Sequence, residues 1–301
     1  MRTTIASIAS LRSSHAIAET LSYYRFGTGD LTTRLAAGEF WRATYTPHGP
    51  ATLHIDLRGD ELRTEAWGPG GDWMQRRVGA MTGANDPGHV FSDAHPAIMS
   101  AQRDHPGLRF GASFTLYHEL LPTVLGQRVT GGEGISQWRA LVQRLGTAAP
   151  GPADLRLPPA PEVLATQPTW WFHPLGIEVK RAESLRHLAK HASKLWQWAE
   201  LAPAAAATKL SLLPGIGEWT IGSALAAALG DSDSVSVGDY HLKNIVGHAL
   251  AGRARSTDMQ MLELLEPYRG QRGRVVRLLL AAGHRAPKFG PRRRVLPMNR
   301  W

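Results

Sequence analysis

Residues 212–220 read Leu-Leu-Pro-Gly-Ile-Gly-Glu-Trp-Thr and lie between a helical pattern at 204–212 and an apolar stretch at 221–229. The two glycines allow tight backbone turns and the close approach of a partner. The free N–H groups that open the following helix can bind a phosphate oxygen. The segment predicts helix, hairpin, helix, a unit that can hold DNA without reading its sequence. On these residues alone, an ordinary turn between two helices is the simpler interpretation.

An acidic residue follows this segment. Asp239 lies twenty residues after Trp219, within Ser-Val-Gly-Asp-Tyr-His-Leu at 236–242, where another helix is predicted to start. An Asp in this position is commonly a helix cap, because its side chain accepts a hydrogen bond from an N–H group of the first turn. It can also be a catalytic carboxylate beside the hairpin, and the residues alone leave both interpretations open.

The composition is typical of a globular protein. The 301 residues include 43% hydrophobic and 20% charged side chains and no cysteine. This length predicts two domains, at roughly 100–200 residues per domain. The lack of cysteine excludes a disulfide scaffold, iron–sulfur clusters, Cys-ligated zinc and cysteine nucleophiles.

Positive charge is concentrated towards the C-terminus. The net charge is +9, and residues 267–301 contain ten Lys or Arg and no acidic residue. Such a block predicts either a solvated tail or contact with a polyanion such as nucleic acid. No stretch approaches the roughly 18 apolar residues of a membrane span, and Arg12 interrupts the short apolar run near the N-terminus. We therefore expect no membrane partner and a cytoplasmic, nucleoid-associated location.

The hydrophobic pattern changes along the chain. Residues 51–58 alternate apolar and polar, and 61–67 and 40–46 are also strand-like, with Gly59-Asp60 as a hairpin turn. From about residue 113 the period becomes helical, as in Trp138, Leu141, Val142 and Leu145. The proline-rich segment 148–161 predicts an extended connection within this helical part.

Several ordered motifs together resemble the helix–hairpin–helix (HhH-GPD) DNA glycosylases, specifically their alkylpurine, 3-methyladenine type II (AlkA-like) branch. The first two are the segment at 212–220 and Val-Gly-Asp-Tyr-His at 237–241. The others are Leu-Gly-Gln-Arg-Val-Thr at 125–130, Leu-Gly-Ile-Glu-Val-Lys-Arg-Ala-Glu at 175–183 and Glu-Pro-Tyr-Arg at 266–269. Chance is a poor explanation for five such motifs occurring in the same order.

The resemblance implies an α+β fold. A small N-terminal antiparallel β-sheet domain (TBP-like) would span residues 1–110, and a helical HhH-GPD catalytic domain would span 111–283. Residues 284–301 would form a basic C-terminal tail. The partner implied is duplex DNA containing damaged bases, bound by a monomer.

The resemblance assigns the catalytic carboxylate to Asp239. Its role would be to stabilise the positive charge that develops on the sugar as the N-glycosidic bond breaks. Trp219 occupies the position of the Lys nucleophile in members that also cut the strand, and without that amine no Schiff base forms. The resemblance therefore implies a monofunctional glycosylase that leaves an abasic site.

The resemblance also assigns a base pocket. Trp219 and Tyr240 would supply aromatic faces for a cationic base. Ser223 and Arg277 stand where the best-known member type has aromatics, so Arg277 would either face the pocket or face phosphate. Trp170 and Trp171 would either contribute to this pocket or fill the core.

Contacts to the DNA backbone and stack are implied in the same way. Arg128, with Gln127 beside it, stands at the position of the side chain that fills the gap left by the flipped base. The phosphate-binding hairpin would be Pro214, Gly215, Ile216 and Gly217. The backbone carbonyls of Ser211, Leu213 and Ile216 would hold a structural Na⁺ or K⁺, and no other cofactor is expected.

These expectations define a monofunctional glycosylase that flips an alkylated purine of the 3-methyladenine or 7-methylguanine type out of duplex DNA and hydrolyses its N-glycosidic bond in base excision repair. An alternative is a non-catalytic damaged-DNA-binding protein with a degenerate pocket, motivated by Ser223, Arg277 and Arg128. A further alternative is a strand-cleaving lyase that uses another amine.

Overall fold

The computed structural model describes residues 13–58 and 62–287 in full and the backbone of residues 2–6. An N-terminal sheet with short helices is followed by a large set of helices. The strands are β1 (Arg2–Ala6), β2 (Thr33–Ala36), β3 (Glu39–Thr46), β4 (Gly49–Asp56) and β5 (Leu62–Trp67). The helices of the first part are α1 (Ser14–Ser22), α2 (Gly71–Arg76), α3 (Val78–Met81) and α4 (Pro96–Asp104).

The helical part begins with α5. Its helices are α5 (Leu116–Leu125), α6 (Gly131–Leu145), α7 (Pro161–Thr166), α8 (Val179–Lys190), α9 (Ala192–Trp198), α10 (Pro203–Leu210), α11 (Glu218–Ala228), α12 (Leu242–Ala251), α13 (Asp258–Leu265) and α14 (Arg272–Ala281). Short 3-10 helices span Thr169–Leu175 and Glu266–Tyr268. The described part contains no helix that is both long and apolar enough to cross a membrane.

The sheet is antiparallel, with strand order β1-β5-β4-β3-β2. The three strands predicted from alternation correspond to β3, β4 and β5, and Phe40 and Ile55 pair on their buried face. The predicted turn at Gly59-Asp60 lies outside the described residues. The pattern missed β1 and β2, because strands of four or five residues carry too little alternation to identify.

Helix α1 was also missed in this strand-rich region. It begins after Ser13, whose side chain accepts a hydrogen bond from the N–H of Ala16 at 3.3 Å. It packs Ile17 and Leu21 against the sheet core. A nine-residue helix with one N-cap signal is short for detection by periodicity alone.

The predicted change to helices after residue 113 is confirmed. Trp138, Leu141 and Val142 of α6 are buried in the largest core, against α5 and α8. The extended connection at 148–161 is confirmed as well, with one isolated bridge from Ala148 to Arg156. It ends where Pro161 starts α7, a position that needs no N–H donor.

Packing links residues 91–110 to the C-terminal helices. Phe91, Ile98 and Phe110 pack in one core with side chains of α12, α13 and α14. The residues just before the expected boundary at 110 therefore contact the C-terminal helices, and that boundary stays a prediction. Most of the expected basic tail, residues 288–301, lies outside the described residues.

Candidate active site

The hairpin at 211–217 joins α10 to α11. Leu213 and Ile216 are buried and anchor it, and the N–H of Ile216 donates to the carbonyl of Leu213 at 3.1 Å. Pro214, Gly215 and Gly217 are exposed. The loop therefore buries Leu213 and Ile216, leaves Leu212 exposed and presents backbone to solvent.

Gly215 is required for this geometry on two counts. Its φ is +80°, in the left-handed region that favours glycine. A Cβ built on it would lie 2.0 Å from Oγ of Ser184 on α8, so the hairpin fits against α8 only without a side chain.

Gly215→Ala is expected to weaken binding of duplex DNA about tenfold or more, because it forces the hairpin away from α8 and costs about 1–3 kcal/mol in backbone strain. Fluorescence anisotropy with a short duplex measures the affinity. Gly132→Ala, near the start of α6, is the matched control, since a Cβ there meets no atom within 4 Å. Equal affinities for both variants would contradict the assigned role of the close approach.

Asp239 both caps a helix and contacts the hairpin helix. Its Oδ1 accepts hydrogen bonds from the N–H groups of His241 and Leu242, each at 2.8 Å, where α12 begins. Its Oδ2 accepts from Nε1 of Trp219 at 3.3 Å. The two interpretations left open by the sequence are therefore compatible, because one oxygen caps α12 while the other is held next to α11. The helix N-terminus also places partial positive charge beside the carboxylate.

A cavity of about 270 Å³ adjoins Trp219. Small-molecule sites are typically roughly 300–1,000 Å³, so this cavity is slightly smaller than that range. Trp219 and Ser223 of α11 form one wall, and Tyr23 and Phe26 from the segment after α1 contribute another. Glu119 of α5 also lines the cavity. Trp219 thus connects Asp239 to a partly open cavity lined in part by aromatic side chains.

Two predicted pocket residues lie elsewhere. Tyr240 is 78% exposed and contacts the ring of His241 edge-on, outside the cavity lining. The guanidinium of Arg277 is buried between the rings of Tyr23 and Phe110, at 3.8 and 3.6 Å from their centroids. Both alternatives for Arg277 therefore need correction, since it faces neither the cavity nor an exposed phosphate surface but packs behind Tyr23. Burial lowers the pKa of Arg277 to about 10.

The wedge prediction for Gln127 also needs correction. Its side-chain amide donates to the carbonyl of Gly215 and to Oγ1 of Thr220, both at 2.9 Å, so it ties α5 to the hairpin instead of projecting outwards. Arg128 is exposed and has a φ of +57°, which is uncommon for a residue with a side chain.

Of the two interpretations left open for the adjacent tryptophans, core packing holds for Trp171, and Trp170 fits neither. Trp171 packs against the main core beside Phe172, whereas Trp170 is 72% exposed. Neither lines the cavity.

A buried ion pair joins the sheet to the cavity. Arg42 of β3 is fully buried and donates to Oε1 of Glu119 at 2.5 Å. The hydroxyls of Ser113 and Thr115 also donate to Oε1, at 2.9 and 3.3 Å. Burial raises the pKa of Glu119, and the charge of Arg42 and these hydroxyls oppose that increase.

His118 lies beside this pair and is neutral. Its two ring nitrogens contact the hydroxyls of Thr32 and Thr44 at 3.1 and 3.0 Å. Burial, reinforced by the charge of Arg42, holds the pKa of His118 well below 6.5.

The free energy of unfolding is expected to fall as the pH is lowered from 7 to 5. An unfolded histidine takes up a proton below its ordinary pKa of roughly 6.5 while His118 in the native state does not, which costs up to about 1.4 kcal/mol per pH unit. His54, whose pKa burial also lowers, contributes in the same direction. The raised pKa of Glu119 acts in the opposite direction, because the native state then binds a proton more readily.

Urea unfolding of the protein and of His118→Gln at several pH values isolates the histidine, since the other groups are unchanged. The free energy of unfolding of the variant should fall less steeply towards pH 5. The difference in slope should be up to about 1.4 kcal/mol per pH unit, which corresponds to one proton. Identical slopes would contradict a neutral, buried His118.

The described residues contain no group of three or more His, Asp or Glu side chains that could hold a metal ion. The expected monovalent cation site uses backbone carbonyls instead, and Leu213 already accepts one internal hydrogen bond with its carbonyl. A carbonyl oxygen has a second lone pair available for a cation.

Comparison with known proteins places this fold among DNA glycosylases. No family model and no curated protein matches the sequence. A 3-methyladenine DNA-glycosylase from Archaeoglobus fulgidus has a TM-score of 0.74 and 16% identity over 94% of this chain and 98% of its own. MBOgg1, in complex with a low affinity DNA ligand, has a TM-score of 0.62 and 14% identity over 94% of this chain and 98% of its own.

A third solved structure has a related activity. The 8-oxoguanine glycosylase/lyase of Clostridium acetobutylicum, in its apo form, has a TM-score of 0.61 and 10% identity over 83% of this chain and 88% of its own. The predicted α+β fold, with its N-terminal antiparallel sheet and helical bundle, is therefore confirmed. The neighbours include enzymes described as glycosylases and as glycosylase/lyases, so the shared fold does not by itself distinguish these activities.

Proposed function

We propose that this protein is a monofunctional DNA glycosylase that excises an alkylated purine from duplex DNA. One observation carries the proposal: Trp219 both lines a cavity near the size of a small-molecule site and donates a hydrogen bond to Asp239, beside a hairpin that presents backbone to solvent. These are the parts that base removal requires, namely a place for an everted base, a fixed negative charge next to its sugar and an attachment to phosphate.

The reaction follows from this arrangement. The damaged base leaves the stack and enters the cavity, where the rings of Trp219 and Tyr23 offer π-faces to a cationic purine. The N-glycosidic bond breaks and its electrons pass to the base, which is already a good leaving group because of its positive charge. Asp239 stabilises the positive charge that develops on the sugar, and water adds at C1′ with loss of a proton. The products are a free base and an abasic site.

The absence of strand cleavage follows from Trp219. An indole cannot form a Schiff base with the sugar, whereas a lysine at this position could. The strand-cleaving alternative therefore requires an amine from another part of the protein.

We further propose that the protein binds duplex DNA as a monomer, and three features fit the contact with DNA. The hairpin N–H groups and the start of α11 would hold a phosphate, and a Na⁺ or K⁺ on the carbonyls of Ser211, Leu213 and Ile216 would offset the charge of that phosphate. Arg128 would fill the gap left by the everted base, and its unusual φ fits a residue held in one orientation for function. Its place of action would be the cytoplasm, on chromosomal DNA.

A substrate panel tests the proposal. The protein is incubated with duplexes that carry one 7-methylguanine, 3-methyladenine, hypoxanthine or 8-oxoguanine, and the free base and strand breaks are quantified separately. Release of a methylated purine, with breaks only after alkali treatment, is the expected result. Binding without release from any duplex would instead support a non-catalytic damaged-DNA binder. Breaks without alkali, together with a protein–DNA adduct trapped by borohydride, would support a lyase.

A further inference from the structure

We infer that Glu119 is a specificity-determining residue that selects the base admitted to the cavity, favouring purines with a positive charge or N–H donors on the edge that enters first. This inference rests on the proposed function and adds a residue that none of the sequence motifs contains.

The orientation of the carboxylate is the first support. The hydrogen bonds that the carboxylate of Glu119 accepts from Arg42, Ser113 and Thr115 all end on Oε1. Among the described residues, none donates to Oε2, and this oxygen is not among the enclosed polar atoms without a partner. Glu119 is only 7% exposed and lines the cavity, so we place Oε2 on the cavity side. An acceptor that no protein donor engages, on a largely buried side chain, can form a hydrogen bond to a ligand that enters the cavity.

The surroundings determine what Oε2 can accept. Neighbouring His118 is neutral and has both ring nitrogens in contact with threonine hydroxyls. The carboxylate of Asp30, also in the lining, accepts from backbone and side-chain donors with both of its oxygens. Glu119 therefore offers the cavity an acceptor that is not engaged by protein donors. A carboxylate binds a positively charged N–H donor about twice as strongly as a neutral acceptor does.

The position of Glu119 suits contact with a base. Trp219 forms a wall of the cavity and also holds Asp239. Glu119 belongs to α5 and is attached to the sheet through Arg42. A base lying against Trp219 would have its sugar on the side of Asp239 and could present its outer edge to Oε2. The two carboxylates would thus have separate tasks, with Asp239 acting on the glycosidic bond and Glu119 on the base.

The test compares two lesions in one enzyme preparation. 7-Methylguanine is cationic and has N–H donors, whereas 1,N6-ethenoadenine is neutral and lacks a donor on the corresponding edge. Glu119→Gln keeps the shape and removes the charge. The ratio of kcat/KM for 7-methylguanine to that for ethenoadenine should fall about tenfold or more. This ratio does not depend on the fraction of folded protein, and an unchanged ratio would overturn the inference.

Two controls separate this result from general damage. Asp233→Asn neutralises another carboxylate paired with an arginine, Arg272, outside the cavity lining, and should leave the ratio unchanged. Arg42→Met combined with Glu119→Gln removes both buried charges and carries the same test if the single variant does not fold. A selective loss in either Glu119 variant supports the inference.

Affinity for the same duplexes provides a readout without catalysis. In the Asp239→Asn background, adding Glu119→Gln should reduce the preference for 7-methylguanine over ethenoadenine DNA about tenfold. If the native protein releases no base, the proposed function fails, and this binding preference still decides the role of Glu119. An equal preference with and without Glu119→Gln would overturn the inference independently of the reaction.

Discussion

Asp239→Asn is expected to reduce base release by about 10²–10³-fold or more while the protein still binds damaged duplex. The amide has no negative charge to oppose the positive charge of the sugar in the transition state, and loss of one electrostatic contact of this kind typically costs that factor. Asn is as good a helix cap as Asp, so its side-chain oxygen can still accept from the N–H groups of His241 and Leu242. Single-turnover release of 7-methylguanine measures the loss.

The matched control for this prediction is again Asp233→Asn. It changes the same charge by the same chemistry in the loop between α11 and α12, where Asp233 pairs with Arg272 of α14. Its release rate should stay within a factor of about two of the native protein, because it lies outside the cavity lining. Comparable release by both variants would remove Asp239 from the chemistry.

The second large effect is on stability. Arg42→Met should lower the free energy of unfolding by about 3–5 kcal/mol, because it leaves Glu119 buried without its cationic partner. Arg42 is fully buried and also donates to the backbone carbonyl of Tyr24 at 2.8 Å and to Oγ1 of Thr33 at 3.1 Å. Urea unfolding at neutral pH measures the change.

The double variant Arg42→Met/Glu119→Gln should be more stable than Arg42→Met, because it no longer contains an uncompensated buried charge. The two single variants and the double variant form a cycle whose non-additivity gives the coupling between the two side chains. If the Arg42→Met and Glu119→Gln effects simply add, the ion pair does not join the sheet to α5 in the way the contacts indicate.

The parts of the fold with strong local signals were predictable from the sequence. Strands β3 to β5 have alternating side chains over six to eight residues. The hairpin has a left-handed glycine at 215, and Asp239 follows at a distance that places it against Trp219. These features depend on neighbours in sequence or on motifs, so a single chain displays them.

The cavity depended on contacts that the sequence does not display. Tyr23 and Trp219 are almost two hundred residues apart, and Glu119 reads in isolation as an ordinary charge in an apolar helix. Arg42 occupies a strand where a charge normally faces water, and only its partner on α5 explains its burial. The one available signal in the sequence is the placement of Glu119 in a largely apolar helix, at 116–125, since an acidic residue buried in such a helix needs a partner or a function.

Motifs in the sequence likewise could not predict which way a single side chain points. Arg277 occupies the expected helix, yet it packs behind Tyr23. Gln127 occupies the expected segment, yet its amide bonds the hairpin. A motif fixes the position along the chain, whereas the packed neighbours fix which way the side chain points.

The central claim is that a base everted from DNA enters the cavity beside Trp219 with its sugar next to residue 239. A crystal structure of Asp239→Asn bound to a duplex with one 7-methylguanine tests this most directly. The account predicts the methylated base between Trp219 and Tyr23, its outer edge at Oε2 of Glu119 and its C1′ in contact with the side chain of residue 239. A lesion that remains stacked in the helix over an empty cavity, or a base bound elsewhere on the protein, would contradict it.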